Sequence, residues 1–577
     1  MKSTNQTSTP RAIISLFSLL ILFGLPKIGF GQAQQAPNYE RKDAPSGVRW
    51  DHDFGKNTAE ETLAGKTVKV TLDASSPRNF MAPRAMGIHT SVYDNHLMGG
   101  SVPSLLRATA VTTLRYPGGG YADNYHWSTY KPTRWQAEEP PKYGYYAANN
   151  DFGHFVSLID KVGTAIITVN YGSNLAGNGP GEPAEAAAWV AYCNGDPGDT
   201  KVIGKDSTGV DWKTVGYWAT MRSSTPLATD DGYNFLRIAH PQPLKILYWE
   251  IGNEVFGNGY YGDRDKNGGY EEDLHAPYSP DPNESTKLRK KNPALSPSVY
   301  GKGVVEFSRA MKAVDPNIKI GAVLNTPPMD DSWGGDWNPG VLKECGTAID
   351  FVVIHWYTGN FAPPDWKTLD SASLLAAPQQ EIPAMVSALL GLFQKYCGAN
   401  ASRMQMAVTE LGPRPFAPIT NPLILGLFAA DAYASLMEVG AVNIDWLELH
   451  AGGFLDERNQ QGPAYYGIQM THLLLNMNDQ FVEAKSNHGL LAVHGAKRAD
   501  GNVGLMLINK DPKSPATVKV QVSGVKLANA GIRFDYGQSS PENAYPITRN
   551  PATDVGNSFT ITVPAYGITT VVIPAAK

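Results

Sequence analysis

Through the middle of the chain, short runs of consecutive apolar residues alternate with stretches whose apolar positions recur every three to four residues. The short runs are 85–89 (AMGIH), 113–116 (TLRY), 165–170 (AIITVN), 246–251 (ILYWEI), 319–323 (KIGAV), 351–355 (FVVIH), 405–408 (QMAV) and 442–447 (VNIDWL). Most are rich in β-branched residues and apolar without alternation, which is the pattern of a parallel strand buried on both faces. Amphipathic stretches at 152–162, 183–193, 299–314 and 423–439 fall between them and predict helices. Eight strand-then-helix units in succession predict an α/β fold, a (β/α)8 TIM barrel over residues 85–475. A doubly wound open sheet is the competing architecture on periodicity alone.

The pattern changes near the end. From residue 489 onward come GLLAVHGA, VGLMLIN, ATVKVQVSG, SFTITVPAYG and ITTVVIP, short strands separated by turn residues with no helical period. They predict an additional antiparallel β-sandwich domain over 476–577. Residues 67–72 (TVKVTL) alternate in the same way, so the segment 34–84 is expected to contribute a strand to that sandwich. Two long insertions, 194–243 and 255–298, interrupt the barrel pattern. Read as loops on the C-terminal face of the barrel, they would wall a pocket there.

Composition narrows the partner. The 577 residues carry 49 Lys+Arg against 54 Asp+Glu, so neither a basic surface for nucleic acid nor an acidic tail is written into the totals. A neutral partner fits better. At the N-terminus, Lys2 and Arg11 precede a 14-residue apolar run, 12–25, and small residues follow at Gly29, Gly31 and Ala33. The run is too short to span a bilayer core of about 30 Å, so residues 1–33 are read as a secretory signal peptide, against the rival of an uncleaved anchor. The expectation is a secreted or periplasmic protein with no membrane contact once that segment is removed. Three widely spaced cysteines, Cys193, Cys345 and Cys397, exclude a disulfide framework and are read as buried thiols.

The chemistry gathers at the predicted strand ends. After the fourth strand, YWEIGNE places Asn253 and Glu254 where strand opens into loop, and after the seventh, AVTELG places Glu410 in the equivalent position. Two carboxylates delivered to one rim face each other across the barrel mouth, the arrangement a retaining glycosidase needs. Arg115 ends the second strand, His355 and Tyr357 the sixth, and Trp446 lies on the eighth. An arginine and a tyrosine beside a carboxylate keep it ionised and oriented. Asn253 suits a sugar 2-hydroxyl, and Trp446 offers a flat face to a sugar ring. Tyr125, Trp127 and Trp356 are further aromatics placed where a sugar would be gripped. Glu250, inside the fourth strand, is read as a barrel-interior residue. Taken one at a time, each of these has a structural reading as a salt-bridge or core residue; their joint occurrence at matching strand ends carries the argument.

WEIGNE, HWY and the later TE resemble the clan A retaining glycoside hydrolases, which are (β/α)8 barrels. Within that clan LRYPGGGYADNYHW (114–127), MGIHTSVYDNHL, EPAEAAAWVAYCNG and YGKGVVEFSRAMKAVDPNIKIGAVL resemble the family 51 α-L-arabinofuranosidases. The resemblance implies Glu254 as general acid/base, Glu410 as nucleophile, Asn253 as partner of the sugar 2-hydroxyl, and Arg115, His355 and Tyr357 as supports. It places Trp446 at the floor of the sugar pocket and calls for a carbohydrate substrate with no cofactor. One departure stands out: the family commonly continues after its nucleophile with Trp and Asn, whereas Leu411, Gly412 and Pro413 follow here. Sugar specificity is therefore left open between arabinofuranosides and a β-glucan, xylan or uronide. A barrel that only binds carbohydrate is the rival from another class. No metal is called for; Asp263, Asp265, Asn267 and Gly268 match half a calcium loop, but its twelfth position is Leu274, and an acidic turn is the simpler reading. Gly118–Gly120 lack dinucleotide or phosphate-loop spacing and are read as a tight turn near the sugar.

Overall fold

The computed structural model describes residues 62–130, 146–257, 273–276, 292–328, 335–358, 371–413, 421–537 and 546–576. The signal-peptide reading and residues 263–268 lie outside them. Eight parallel strands close a barrel: β2 (Met86–His89), β3 (Thr113–Tyr116), β4 (Thr164–Val169), β5 (Tyr248–Ile251), β6 (Lys319–Val323), β7 (Phe351–Tyr357), β8 (Gln405–Gly412) and β9 (Asn443–Trp446). Closure is made by β2 against β9, with Met86 opposite Ile444 and Ile88 opposite Trp446. Continuous apolarity follows from position, since residues pointing inward meet the filled interior and residues pointing outward meet the helices. The open-sheet alternative is thereby excluded.

Helices Phe152–Val162, Pro183–Asn194, Pro297–Val314 and Leu423–Glu438 occupy the amphipathic stretches. The first begins with Asp151, whose side chain accepts from the His154 amide at 3.0 Å. The insertion at 194–243 is corrected by this layout. It starts where helix Pro183–Asn194 ends and runs into β5, so it is a helix-to-strand connection, on the face opposite the site, and does not wall the mouth. It carries its own helix, Val215–Ser223, fastened through the buried Arg222, which donates to the carbonyls of Tyr192, Cys193 and Gly195.

The second domain is a nine-stranded sheet built from both ends of the chain. Its strands are β1 (Thr67–Phe80), β10 (Gln480–Ser486), β11 (Leu491–Lys497), β12 (Val503–Asn509), β13 (Ala516–Ser523), β14 (Ala530–Tyr536), β15 (Thr548–Thr553), β16 (Ser558–Val563) and β17 (Gly567–Ile573). The order is β15-β14-β17-β12-β11-β10-β1-β13-β16. The expectation of a purely antiparallel sandwich needs one correction, because β1 runs parallel to β13, with Val68 opposite Val518. An N-terminal strand inserted between two strands of the C-terminal hairpin array must match one of them in direction. Alternation is clean along β13, and its inward Val518, Val520 and Val522 join Val68, Val70, Leu72, Phe559 and Ile561 in a core separate from that of the barrel. Cys193, Cys345 and Cys397 are all buried.

Barrel and sheet are joined by a buried charged network. Asp431 and Glu438, both on helix Leu423–Glu438, flank His494 of β11 at 3.0 and 2.9 Å. Lys510, just past β12, reaches Asp431 at 2.6 Å and also Gln379, whose amide donates to Asp431 at 2.7 Å. Burial alone would lower His494, but the Glu438 and Asp431 carboxylates hold it up at about 9. Removing one member of such a network leaves an uncompensated buried charge, so Lys510→Met is expected to cost about 3–5 kcal/mol in urea unfolding. The stabilisation from His494 is fully present below its ordinary value of 6.5 and is lost as pH rises through about 9. Stability of the wild type should therefore fall across that interval, and His494→Gln should flatten the fall.

Candidate active site

The barrel mouth is organised by one cation. Arg115, the third residue of β3, is fully buried, and its guanidinium donates in three directions. Its Nε meets Glu250 Oε1 at 2.5 Å, one terminal nitrogen meets Glu410 Oε1 at 2.9 Å, and the other meets Asn253 Oδ1 at 2.9 Å. Two carboxylates and an amide are thus fixed in one plane by a side chain suited to forked recognition. Burial opposes the charge on Arg115, and Glu250 and Glu410 outweigh it, so the guanidinium is held more firmly protonated than usual. Glu250 also accepts from Thr168 and lies wholly inside the barrel.

Glu410 owes its position to a bulge. Ile354 pairs with Val408 but His355 pairs with Glu410, so Thr409 is an extra residue in β8. Without it, Thr409 would stand beside His355 in the ladder. With it, Glu410 does, and His355 Nδ1 comes within 3.4 Å of Glu410 Oε2. The Tyr357 hydroxyl donates to the same oxygen. Burial pushes the Glu410 carboxyl up, but His355 and Arg115, together with the Tyr357 hydroxyl, bring it down to about 2. Burial raises the Tyr357 hydroxyl, and the Glu410 and Glu254 charges raise it further, which keeps it a donor.

Glu254 is reached by a sharp bend. After β5, Gly252 has φ +74° and Glu254 has φ +37°, a left-handed conformation uncommon for a residue with a β-carbon. His355 Nδ1 lies 2.9 Å from Glu254 Oε1. The two carboxylates differ in exposure, 22% for the Glu254 side chain and 8% for that of Glu410. One oxygen of each, with a ring nitrogen of His355, falls within 4.8 Å of the others. Such a trio could also grip a cation, but the oxygens of Glu410 already hold the Arg115 guanidinium and the Tyr357 hydroxyl proton. Asn253 is buried with its oxygen committed to Arg115, which leaves its amide nitrogen as the polar end.

The aromatic expectations fare differently. Trp446 is fully buried, its Nε1 donating to the Gly452 carbonyl at 3.1 Å and its ring packed against Phe428, so no face is open to a sugar. Trp127 stacks on Trp189 at 5.8 Å, Tyr125 is hydrogen-bonded to Tyr116 at 2.6 Å, and Trp356 donates to Glu381 at 2.8 Å. All three are core residues; adjacency in sequence to a strand end does not tell which way a ring turns. Gly118, at φ +100°, does form the expected tight turn, but the backbone it approaches is that of Thr90, whose oxygen a Cβ would meet at 2.0 Å.

Three participants were not foreseen. His89 ends β2, with Nδ1 3.0 Å from Arg115 and 3.9 Å from Glu410 Oε1; burial and the Arg115 charge lower it to about 3, so it is a neutral ring. Its place at a strand end is the same signal that marked Arg115 and His355. Asp445 on β9 lies in the barrel interior, where burial pushes its carboxyl well up and overcomes Arg115. Glu448, two residues beyond β9, accepts from Ser91 and Tyr93.

No family model matches the chain. Over 270 residues, 45% of its length, it is 25% identical to the intracellular exo-α-(1→5)-L-arabinofuranosidase 1 of Bacillus subtilis strain 168, of which the match covers 39%. The chain thus spans about two fifths of that relative's length. Among solved structures, the α-L-arabinofuranosidase from Thermotoga maritima superposes with a TM-score of 0.63 and 18% identity, covering 88% of this chain and all of that one. Cel44A, a family 44 endoglucanase from Clostridium thermocellum, follows with a TM-score of 0.57, 16% identity, 88% of this chain and 100% of its own. These structures show a shared fold, and the chain is similar in sequence to arabinofuranosidases, the resemblance its motifs suggested.

Removing one donor should be visible at Glu410 itself. In Tyr357→Phe the carboxyl loses a hydrogen bond to its ionised form, so its titration, followed by NMR of carboxyl-labelled glutamate, should move upward from about 2 toward the ordinary glutamate value.

Proposed function

We propose that the chain is an exported retaining glycosidase that releases L-arabinofuranosyl groups from the side chains of polysaccharides or oligosaccharides. The observation that carries the chemistry is the spacing of the carboxylates. An oxygen of Glu254 and one of Glu410 lie within 4.8 Å of each other, a close approach of the kind a retaining pair makes. The likeness to arabinofuranosidases supports the sugar, and the opening segment supports export.

The residues divide the work by environment. Glu410, buried and ionised, attacks the anomeric carbon while Glu254 gives its proton to the departing glycosidic oxygen, forming a glycosyl ester on Glu410. Glu254 then takes a proton from water, whose oxygen attacks the anomeric carbon and frees Glu410. Greater exposure suits Glu254, which must meet both the leaving group and solvent. His355, within hydrogen-bond distance of Glu254 and beside Glu410, holds the two in register. The Asn253 amide nitrogen is placed to donate to the sugar 2-hydroxyl, a contact that strengthens as charge develops in the ring.

A panel of nitrophenyl glycosides tests the sugar, with turnover expected on the α-L-arabinofuranoside. Glu410→Ala and Glu254→Ala are each expected to lose about 10²–10⁴-fold in kcat/KM or more. Folded variants that kept wild-type rates on every glycoside of the panel would defeat the mechanism.

A further inference from the structure

Glu448 stands on the rim of the same mouth and takes no part in the steps above. The Leu449 amide donates to the His89 carbonyl at 3.0 Å, and the His89 ring touches Arg115 and approaches Glu410. This ties the segment after β9 to the segment after β2 at the edge of the site. The half-buried Glu448 carboxylate accepts from the Ser91 hydroxyl at 2.5 Å and from the Tyr93 hydroxyl at 2.9 Å, both on Oε2. Oε1 has only a longer approach from Tyr93, at 3.2 Å.

The charges around it are otherwise matched. Arg115 serves Glu250 and Glu410, and Asp94 is paired with His450 at 2.5 Å. Glu448 takes its own hydrogen bonds from neutral hydroxyls, and the neighbouring His450 ring, whose protonation Glu448 favours, is hydrogen-bonded to Asp94 and Asn459 instead. A carboxylate has about four acceptor positions, and a partly desolvated one with some of them unfilled calls for donors from outside.

We propose that Glu448 is a sugar-recognising carboxylate that accepts hydrogen bonds from hydroxyls of the glycone bound at this mouth, and that its negative charge excludes uronides. The assignment rests on the glycosidase reading and deepens it by naming a neutral glycone. A uronide carboxylate would be brought against Glu448, whose own donors are neutral hydroxyls, which is discrimination by repulsion.

Kinetics on Glu448→Gln and Glu448→Asp decide the matter. With the nitrophenyl α-L-arabinofuranoside, Glu448→Gln should lose about 10- to 100-fold in kcat/KM at unchanged melting temperature, and Glu448→Asp should recover part of it. With monodeoxy analogues of that substrate, at least one should react equally with wild type and Glu448→Gln, because the contacted hydroxyl is gone from both. Equal losses on every deoxy analogue would assign Glu448 a merely structural part and overturn the proposal, as would an unchanged rate on the full substrate. Should Glu448→Gln fail to fold, Glu448→Asp with the same analogues gives the same comparison. If wild type turned over no glycoside, the glycosidase reading would fall separately. Calorimetric binding of L-arabinose would then decide, with equal affinity for wild type and variant, or none for either, overturning the assignment.

Discussion

A single guanidinium in a place without water governs this structure. Arg115 sits inside the barrel where an isolated charge would be costly, and it is tolerable because Glu250, Glu410 and Asn253 reach it from β5, from β8 and from the turn after β5. Those partners are distant in sequence, so the arrangement exists only when the sheet has closed. The same contacts set the chemistry. One of the two carboxylates bound to Arg115 is sealed within the barrel; the other is pulled to its outlet and kept ionised by the same charge.

The sheet domain repeats this logic on its other side. Its apolar core is its own, but it is pinned to the barrel through Asp431, Glu438, His494 and Lys510, a set with two charges of each sign. Helix Leu423–Glu438 follows β8, the strand that carries Glu410. The element that frames the site from behind is therefore also the one that anchors the second domain. Because β1 lies between β10 and β13, the sheet cannot be completed without residues that precede the barrel. The two halves of the chain are mutually dependent for that reason.

Much of this was legible because burial on both faces leaves an unmistakable mark. The barrel strands showed as unbroken apolar runs, and the polar residues at their ends, Arg115, His355, Tyr357 and Glu410, stood out against them. Strands β14 and β15 were not legible: RFD interrupts the first, and the second is mostly exposed, so neither shows alternation. The insertion at 194–243 was misplaced because top and bottom of a barrel differ only in whether a loop follows a strand or a helix, and that turns on one helix end at Asn194. Orientation was the other blind spot. Trp446, Trp127, Tyr125 and Trp356 are where they were expected along the chain but face inward. The bulge at Thr409 has no signature, since TEL reads the same with or without it.

The bend at Glu254 has a consequence for how such a protein ages in evolution. A left-handed φ at a residue with a β-carbon costs on the order of 1–3 kcal/mol, and glycine would carry the same bend without strain. The most economical way for this fold to gain stability at that position is thus to surrender the carboxylate. Under the proposed mechanism chemistry and durability pull against each other at this one residue, so a lineage released from selection for turnover should drift there first toward a sturdier, silent barrel.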